Sequence, residues 1–213
     1  MARKTKSLLS EEFILDKAAD LIESVGLEAF SLRKLAVDVG CEAMSLYHYF
    51  PSKSLLLDHL VDRSLKQVAF PPDHAEPLGA IKVVAREFRR VGLKRPKFFP
   101  YFALHRMNTP VGLLFLERCL RIFHRLGLSD QQAATFFRCL GYYLIGAVLE
   151  ETSGYAQGPD SAGQQPDADD MASLYPLLAK AGAYFSPDHH SAIFEQGLNA
   201  LLAELARLQV MAL

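Results

Sequence analysis

The residues of this chain best suited to chemistry lie between positions 31 and 53, in the run SLRKLAVDVGCEAMSLYHYFPSK. They are hydrogen-bond donors and acceptors rather than a catalytic set. Ser31 and Ser52 each open a helical pattern, with Arg33 and Lys53 in the first turns, where backbone amides and side chains together grip phosphate. Between them, Glu42, Ala43, Met44, Ser45, Tyr47 and His48 belong to a short helix whose first residues would be nearest the base edges of a duplex groove. Ser45 can donate or accept at a base or phosphate, and His48 can offer a ring nitrogen to either. Ala43 and Met44 suit a thymine methyl, whereas Glu42 can only accept from cytosine and repels phosphate. Tyr47, apolar in body and polar at its tip, fits a backbone contact better. Leu35, Ala36, Val39, Leu46 and Phe50 read as core.

The elements that must hold these groups are helical. A Ser10 cap and two acids open a first helix with an apolar stripe at Ile14, Ala18, Leu21, Ile22 and Val25, closed by Gly26. Ser31 caps a second helix, Gly40 supplies a turn, a third helix covers about 42–49, and Ser52 caps a fourth carrying Leu55, Leu56, His59 and Leu60. Two helices joined by a Gly turn, followed by a third, form a helix-turn-helix layout, though many helical hairpins share it. Residues 71–77, PPDHAEP, cannot continue a helix and read as a linker. The expected division is a head of residues 1–66 and a body of residues 67–213.

In the body, helices are expected over about 78–91, 101–107, 110–126, 129–153, 174–185 and 188–209. The 129–153 helix is long and strongly apolar. The final helix carries Ile193, Phe194, Leu198, Leu201, Leu202, Leu205 and Leu208. Residues 154–170 are rich in Gly, Pro, Asp and Gln and read as a mobile loop. No strand-like alternation of useful length occurs, so the fold class is all-α.

The sequence offers little to an enzyme. It has no Gly-rich phosphate loop, no HExxH and no GxSxG, and the adjacent pair His189 and His190 points to different helix faces. Three cysteines, Cys41, Cys119 and Cys139, fit no common zinc or redox spacing, and with no secretory leader an odd count fits a reducing cytoplasm. No run approaches 18 apolar residues, so no membrane span is expected. The net charge of -1 does not announce a nucleic-acid binder, but a basic stripe can sit on a neutral protein. Arg3, Lys4 and Lys6 form a basic terminal run that either lies near phosphates or is frayed.

From Phe13 to Leu60 the chain resembles the N-terminal domain of the TetR family of transcriptional regulators. The resemblance rests on GLEAFSLRKLAVDVGCEAMSLYHYFPSKSLLLDHL, and above all on the Ser-Leu-Tyr-x-x-Phe-x-x-Lys spine from Ser45 to Lys53. It implies DNA contacts at Arg33, Ala43, Met44, Ser45, Tyr47, His48 and Lys53. It also implies a homodimer on palindromic operator DNA, usually acting as a repressor. Ala43 and Met44 depart from the polar identities of the best-known tetracycline regulators, so no operator sequence carries over. Residues 126–151, especially YYLIGAVLEE, and FEQGLNALLAEL near the end resemble the tetracycline-repressor branch more weakly. That branch implies a ligand pocket and a dimerising four-helix bundle, here helices near 129–153 and 190–206, with Gly141, Gly146 and Ala147 permitting close approach. Read without the resemblance, the same two helices are equally well internal.

Apolar pockets with a few polar groups are normal small-molecule sites. The aromatic-rich body offers Phe98, Phe102, His105, Arg106, Asn108, Phe115, Phe136 and Tyr143 as candidates for an effector site. A histidine in this region helps tetracycline regulators hold a drug-bound magnesium ion, but the surroundings of His105 do not reproduce that motif; no metal or cofactor is expected. A transcriptional activator of the same fold and a helical adaptor without DNA affinity are the alternatives.

Overall fold

The computed structural model describes residues 9–153 and 167–211, and these form eleven α-helices with no strand. In chain order they are α1 (Glu11–Val25), α2 (Leu32–Val39), α3 (Ala43–Tyr49), α4 (Lys53–Lys66), α5 (Pro77–Lys94), α6 (Phe99–Leu104), α7 (Pro110–His124), α8 (Asp130–Ser153), α9 (Ala168–Leu174), α10 (Pro176–Ala181) and α11 (His190–Met211). The basic run at Arg3, Lys4 and Lys6, most of the predicted 154–170 loop and the Leu208 side chain lie outside the described residues.

The chain forms two compact units. The first joins residues 9–69 to Lys94–Glu117; the second joins Phe70–Leu93 to the described residues from Arg118 onward. The first unit therefore takes in a segment of the predicted body.

In the first unit, three serines set the helix starts. The Oγ atoms of Ser10, Ser31 and Ser52 accept from the amides of Phe13, Lys34 and Leu55 at 3.2, 3.3 and 3.1 Å. Each satisfies an amide that would otherwise lack a partner in the first turn. Ile14, Ala18, Ile22, Leu35, Leu46, Phe50, Leu56 and Val61 are buried and bring α1 against α2 and α4. Val25, expected on the apolar stripe, is instead 40% exposed, because the helix ends there and Gly26 turns the chain away at φ 83°.

In the second unit, Glu76 starts α5 by accepting from the amides of Leu78 and Gly79 at 2.8 and 2.6 Å. Helices α8 and α11 pack together through Leu144, Val148, Phe194, Leu198, Leu202 and Leu205. A Cβ on Gly197 would lie 2.5 Å from the Tyr143 hydroxyl, so only glycine lets α8 approach α11 this closely there. Tyr143 donates to the Phe194 carbonyl at 2.7 Å and stacks on the Phe194 ring. Arg89 of α5 meets Glu151 of α8 with two 2.7 Å bonds, reaches Ser191 of α11 at 3.1 Å, and lies over Phe194.

Helix boundaries differ from expectation at several places, among them α7, which ends at His124 rather than 126, and α9, which opens at Ala168 inside the predicted 154–170 loop. The first body helix runs 77–94 rather than 78–91, and the short one 99–104 rather than 101–107, ended by extended backbone at His105. The single helix expected over 174–185 is broken: α9 stops at Leu174, α10 starts at Pro176, and a 3-10 turn follows at Gly182–Phe185. Tyr175, at φ -130° and ψ 56°, shows the reason: the proline ring bars its predecessor from helical backbone. A 3-10 turn over Pro187–His189 likewise delays the last helix to His190.

Candidate nucleic-acid interface

Helix α2 ends in a left-handed Gly40 at φ 74° and ψ 36°, and Cys41 donates back to the Ala36 carbonyl at 3.0 Å. This cap closes the helix and turns the chain within three residues, so α3 leaves at a fixed angle. Leu46 and Phe50 are fully buried and fix which way α3 faces. The opposite face then presents Met44, Tyr47 and His48, at spacing i, i+3 and i+4, with Met44 64% exposed and Tyr47 39%. Ala43 and Ser45 are half-buried at its flank, and Glu42 sits exposed at the cap position without capping an amide. One face thus offers a thioether, a phenol and an imidazole from a helix narrow enough for a major groove.

Cationic groups are sparse around this face. Helix α3 contains no lysine or arginine; α2 exposes Arg33 and Lys34. Lys34 was not among the residues expected to contact DNA, although its place in the first turn of α2, beside Arg33, could have singled it out. Ser31 and Ser52 accept with their hydroxyl oxygens, which leaves each hydroxyl proton available to a phosphate.

Lys53 is the departure from expectation. Its Nζ donates to the carbonyls of Leu27 and Phe30 at 3.0 and 2.9 Å and lies 5.4 Å from the Phe30 ring centre. The ammonium therefore fastens the turn between α1 and α2 to the start of α4. Two of its three N–H donors are thereby engaged inside the fold. Sequence reasoning also passed over Tyr49, whose hydroxyl donates to the Leu9 carbonyl at 2.7 Å.

Of the eight effector candidates, the structure brings three together. His105, Arg106 and Asn108 line an open cleft of about 510 Å³ in the first unit, with Leu27, Pro100, Tyr101 and Leu104. His105 is held on both nitrogens: Nδ1 accepts from the Met107 amide at 3.0 Å, and Nε2 lies 3.1 Å from Asp58 of α4. Thr109 donates to Asp62 of the same helix at 2.5 Å. Burial, and secondarily the Asp58 charge, push the Tyr101 phenol above its ordinary range, so it stays a neutral donor. Phe98, Phe102 and Phe115 are not cleft walls; their rings are buried at 4%, 1% and 8% exposure. Tyr143 belongs to the α8–α11 packing of the second unit and Phe136 lies half-buried on α8; neither is among the residues that line this cleft. With both His105 nitrogens committed, and no group of three His, Cys, Asp or Glu among the described residues able to hold a metal, the donor set does not fit a resident ion.

Residues 14–60 match the family model for bacterial regulatory proteins of the tetR family, and residues 78–208 match the tetracyclin repressor-like C-terminal domain. The chain belongs to the tetR family. It is a transcriptional regulator with an N-terminal helix-turn-helix DNA-binding domain. The tetracycline repressor protein class A from transposon 1721 of Escherichia coli is 29% identical over 202 residues, covering 93% of this chain and 91% of that one. The HTH-type transcriptional repressor DrrR1 of Streptomyces coeruleorubidus is 25% identical, and the match spans 84% of this chain but 66% of that relative. Among solved structures, the Streptomyces coelicolor TetR family protein ActR in complex with actinorhodin superposes with a TM-score of 0.72 at 25% identity, covering 95% of this chain and 99% of ActR. Among the described residues, no helix of this TetR-family chain is long and apolar enough to cross a membrane.

Proposed function

We propose that this chain is a transcriptional repressor that grips palindromic operator DNA as a homodimer and releases it when a small molecule binds. The observation that carries the reading is the exposed face of Met44, Tyr47 and His48 on α3, opposite a fully buried Leu46 and Phe50. Residues 1–66 serve as the DNA-binding domain and residues 67–213 as the effector and dimerisation domain. Ser31, Arg33, Ser45, Tyr47, His48 and Ser52 contact DNA, with Ala43 and Met44 against base methyl groups and Glu42 at the edge. Lys53 acts through the α1–α2 turn.

The homodimer forms through α8 and α11. In support, Tyr142 and Ile193 are 65% and 52% exposed on these helices, and a Cβ on Gly141 or Gly146 would meet nothing within 4 Å. His105, Arg106 and Asn108 receive the effector. The bonds from His105 and Thr109 to Asp58 and Asp62 give it a route to α4. An effector that favours another spacing of the two heads weakens both grips at once, and a differential affinity of a few kcal/mol suffices. The protein works in the cytoplasm and performs no catalysis.

The test is selection of bound duplexes from a random library at stated salt. Recovery of a site with two inverted halves, about one helical turn or a multiple apart, is expected. No sequence preference, with affinity also absent at low salt, would replace the reading with that of an adaptor.

A further inference from the structure

A helix that reads sequence needs side chains that tell one base pair from another, and α3 holds few of the strong ones. Arg or Lys forms a two-bond pair with guanine, and Asn or Gln with adenine. Helix α3, AMSLYHY, contains none of these residue types. Its polar groups discriminate less. Ser45 is half-buried, and its hydroxyl bonds donors and acceptors alike. Tyr47 has one hydroxyl, and the two ring nitrogens of His48 diverge, so each side chain adds a single bond at a base edge. Glu42, exposed at the cap position, accepts only from cytosine.

What this face carries instead is apolar surface. Met44 is 64% exposed, and Leu46 and Phe50, both fully buried, hold it turned outward. Ala43 is half-buried beside it. A thioether on an unbranched chain adapts its shape to what it meets, and its apolar surface contributes free energy only when water is excluded from it. The major groove displays one apolar group, the C5-methyl of thymine. That methyl marks a base pair and also the strand on which its thymine stands, so contact with it carries sequence information. No charge takes part, so the contact discriminates among duplexes without adding to the phosphate attraction common to all of them.

We infer that Met44 is a specificity-determining residue that recognises the C5-methyl of a thymine, and that each operator half-site carries a thymine in register with it. This rests on the DNA-binding reading above and names the feature of the operator that the face selects. Burying one methyl group contributes about fourfold in affinity, the equivalent of about 0.8 kcal/mol. A homodimer makes the contact once in each half-site, so the two methyls together are worth about 15-fold. His48 and Tyr47 add single hydrogen bonds around this contact.

The experiment uses the full chain and the operator recovered by selection. Failure to recover any operator sinks the DNA-binding reading itself and is seen before a thymine is replaced. Thymines are then exchanged for deoxyuridine, one symmetric pair at a time, which removes the methyl and keeps every hydrogen-bonding group of the base. The native chain, Met44→Ala and Met44→Leu are compared by anisotropy titration at one stated salt concentration. At least one pair should cost the native chain about 15-fold in affinity. Met44→Leu, still apolar and nearly as long, should keep that penalty, whereas in Met44→Ala it should fall below about twofold. All three proteins should share one unfolding midpoint, because the side chain is exposed, and one salt slope, because no charge changes. Half-sites without thymine, or deoxyuridine tolerated at every pair, overturn methyl recognition. An equal penalty in the native chain and Met44→Ala overturns the assignment to Met44, because the methyl would then act through another side chain or through the shape of the duplex.

Discussion

Replacing Lys53 with Met separates two roles that a lysine at a helix start can play. The substitution keeps the apolar stem over Phe30 and removes the ammonium from the carbonyls of Leu27 and Phe30, at 3.0 and 2.9 Å. Hydrogen bonds to a charged group contribute about 1.5–3 kcal/mol each where water is excluded. Lys53 and Leu27 are only half-buried, so water recovers part of that loss. A total of about 2 kcal/mol follows, equivalent to a fall in Tm of about 4–8 °C for a chain of this size. Melting is followed by circular dichroism at one fixed protein concentration, since dimerisation makes Tm concentration-dependent. Operator affinity should drop at every salt concentration, because α2 loses its fixed entry angle. The slope of log K against log salt should stay as in the native chain. A Tm unchanged by the substitution, with the slope flattened by about 0.9 per head, would refute this reasoning and return Lys53 to the phosphate backbone.

Four further outcomes are expected. His48 stands exposed on the groove-facing side of α3, so His48→Ala should change the ranking of operator variants; an identical ranking would count against base contact. Gly197→Ala places a methyl 2.5 Å from the Tyr143 hydroxyl and should cost about 1–3 kcal/mol in urea unfolding, and a neutral result would mean the Tyr143 ring moves freely. Burial pushes the Cys119 thiol up to about 12, leaving about one thiolate in ten thousand at pH 8. Iodoacetamide should therefore spare Cys119 in the folded chain and label it in urea, and labelling at equal rates in both would contradict its burial. Arg89→Met leaves the Glu151 carboxylate, 9% exposed, without its partner and should cost about 3 kcal/mol, most of it regained by adding Glu151→Leu. If the pair of changes is no more stable than the single one, the half-buried ion pair is not what the single change disrupts.

How much of this was legible in the sequence follows from the range of each interaction. The helix starts at Ser10, Ser31 and Ser52 and the turn at Gly40 are decided within three or four residues, and the caps that form are the ones their positions imply. The inward set of Leu35, Leu46 and Phe50 follows from helical spacing alone. Even the break at Tyr175 has a local cause, because Pro176 constrains the residue before it.

What stayed hidden is long-range partnership. Lys53 resembles a free cation until the carbonyls of residues 27 and 30 arrive beside it, and Tyr49 resembles surface until Leu9 does. The effector candidates divide on the same ground. Phe98, a candidate, and Tyr101, which was not one, stand one helical turn apart in one aromatic run, yet Phe98 is core while Tyr101 lines the cleft. Spacing places residues on faces, but which face is covered depends on a second segment, here 94–117 joining residues 9–69, whose approach no local pattern records. The polar residues His105, Arg106 and Asn108 were the better guide to the cleft because desolvating such groups is costly, so they stay at openings whatever covers the rest.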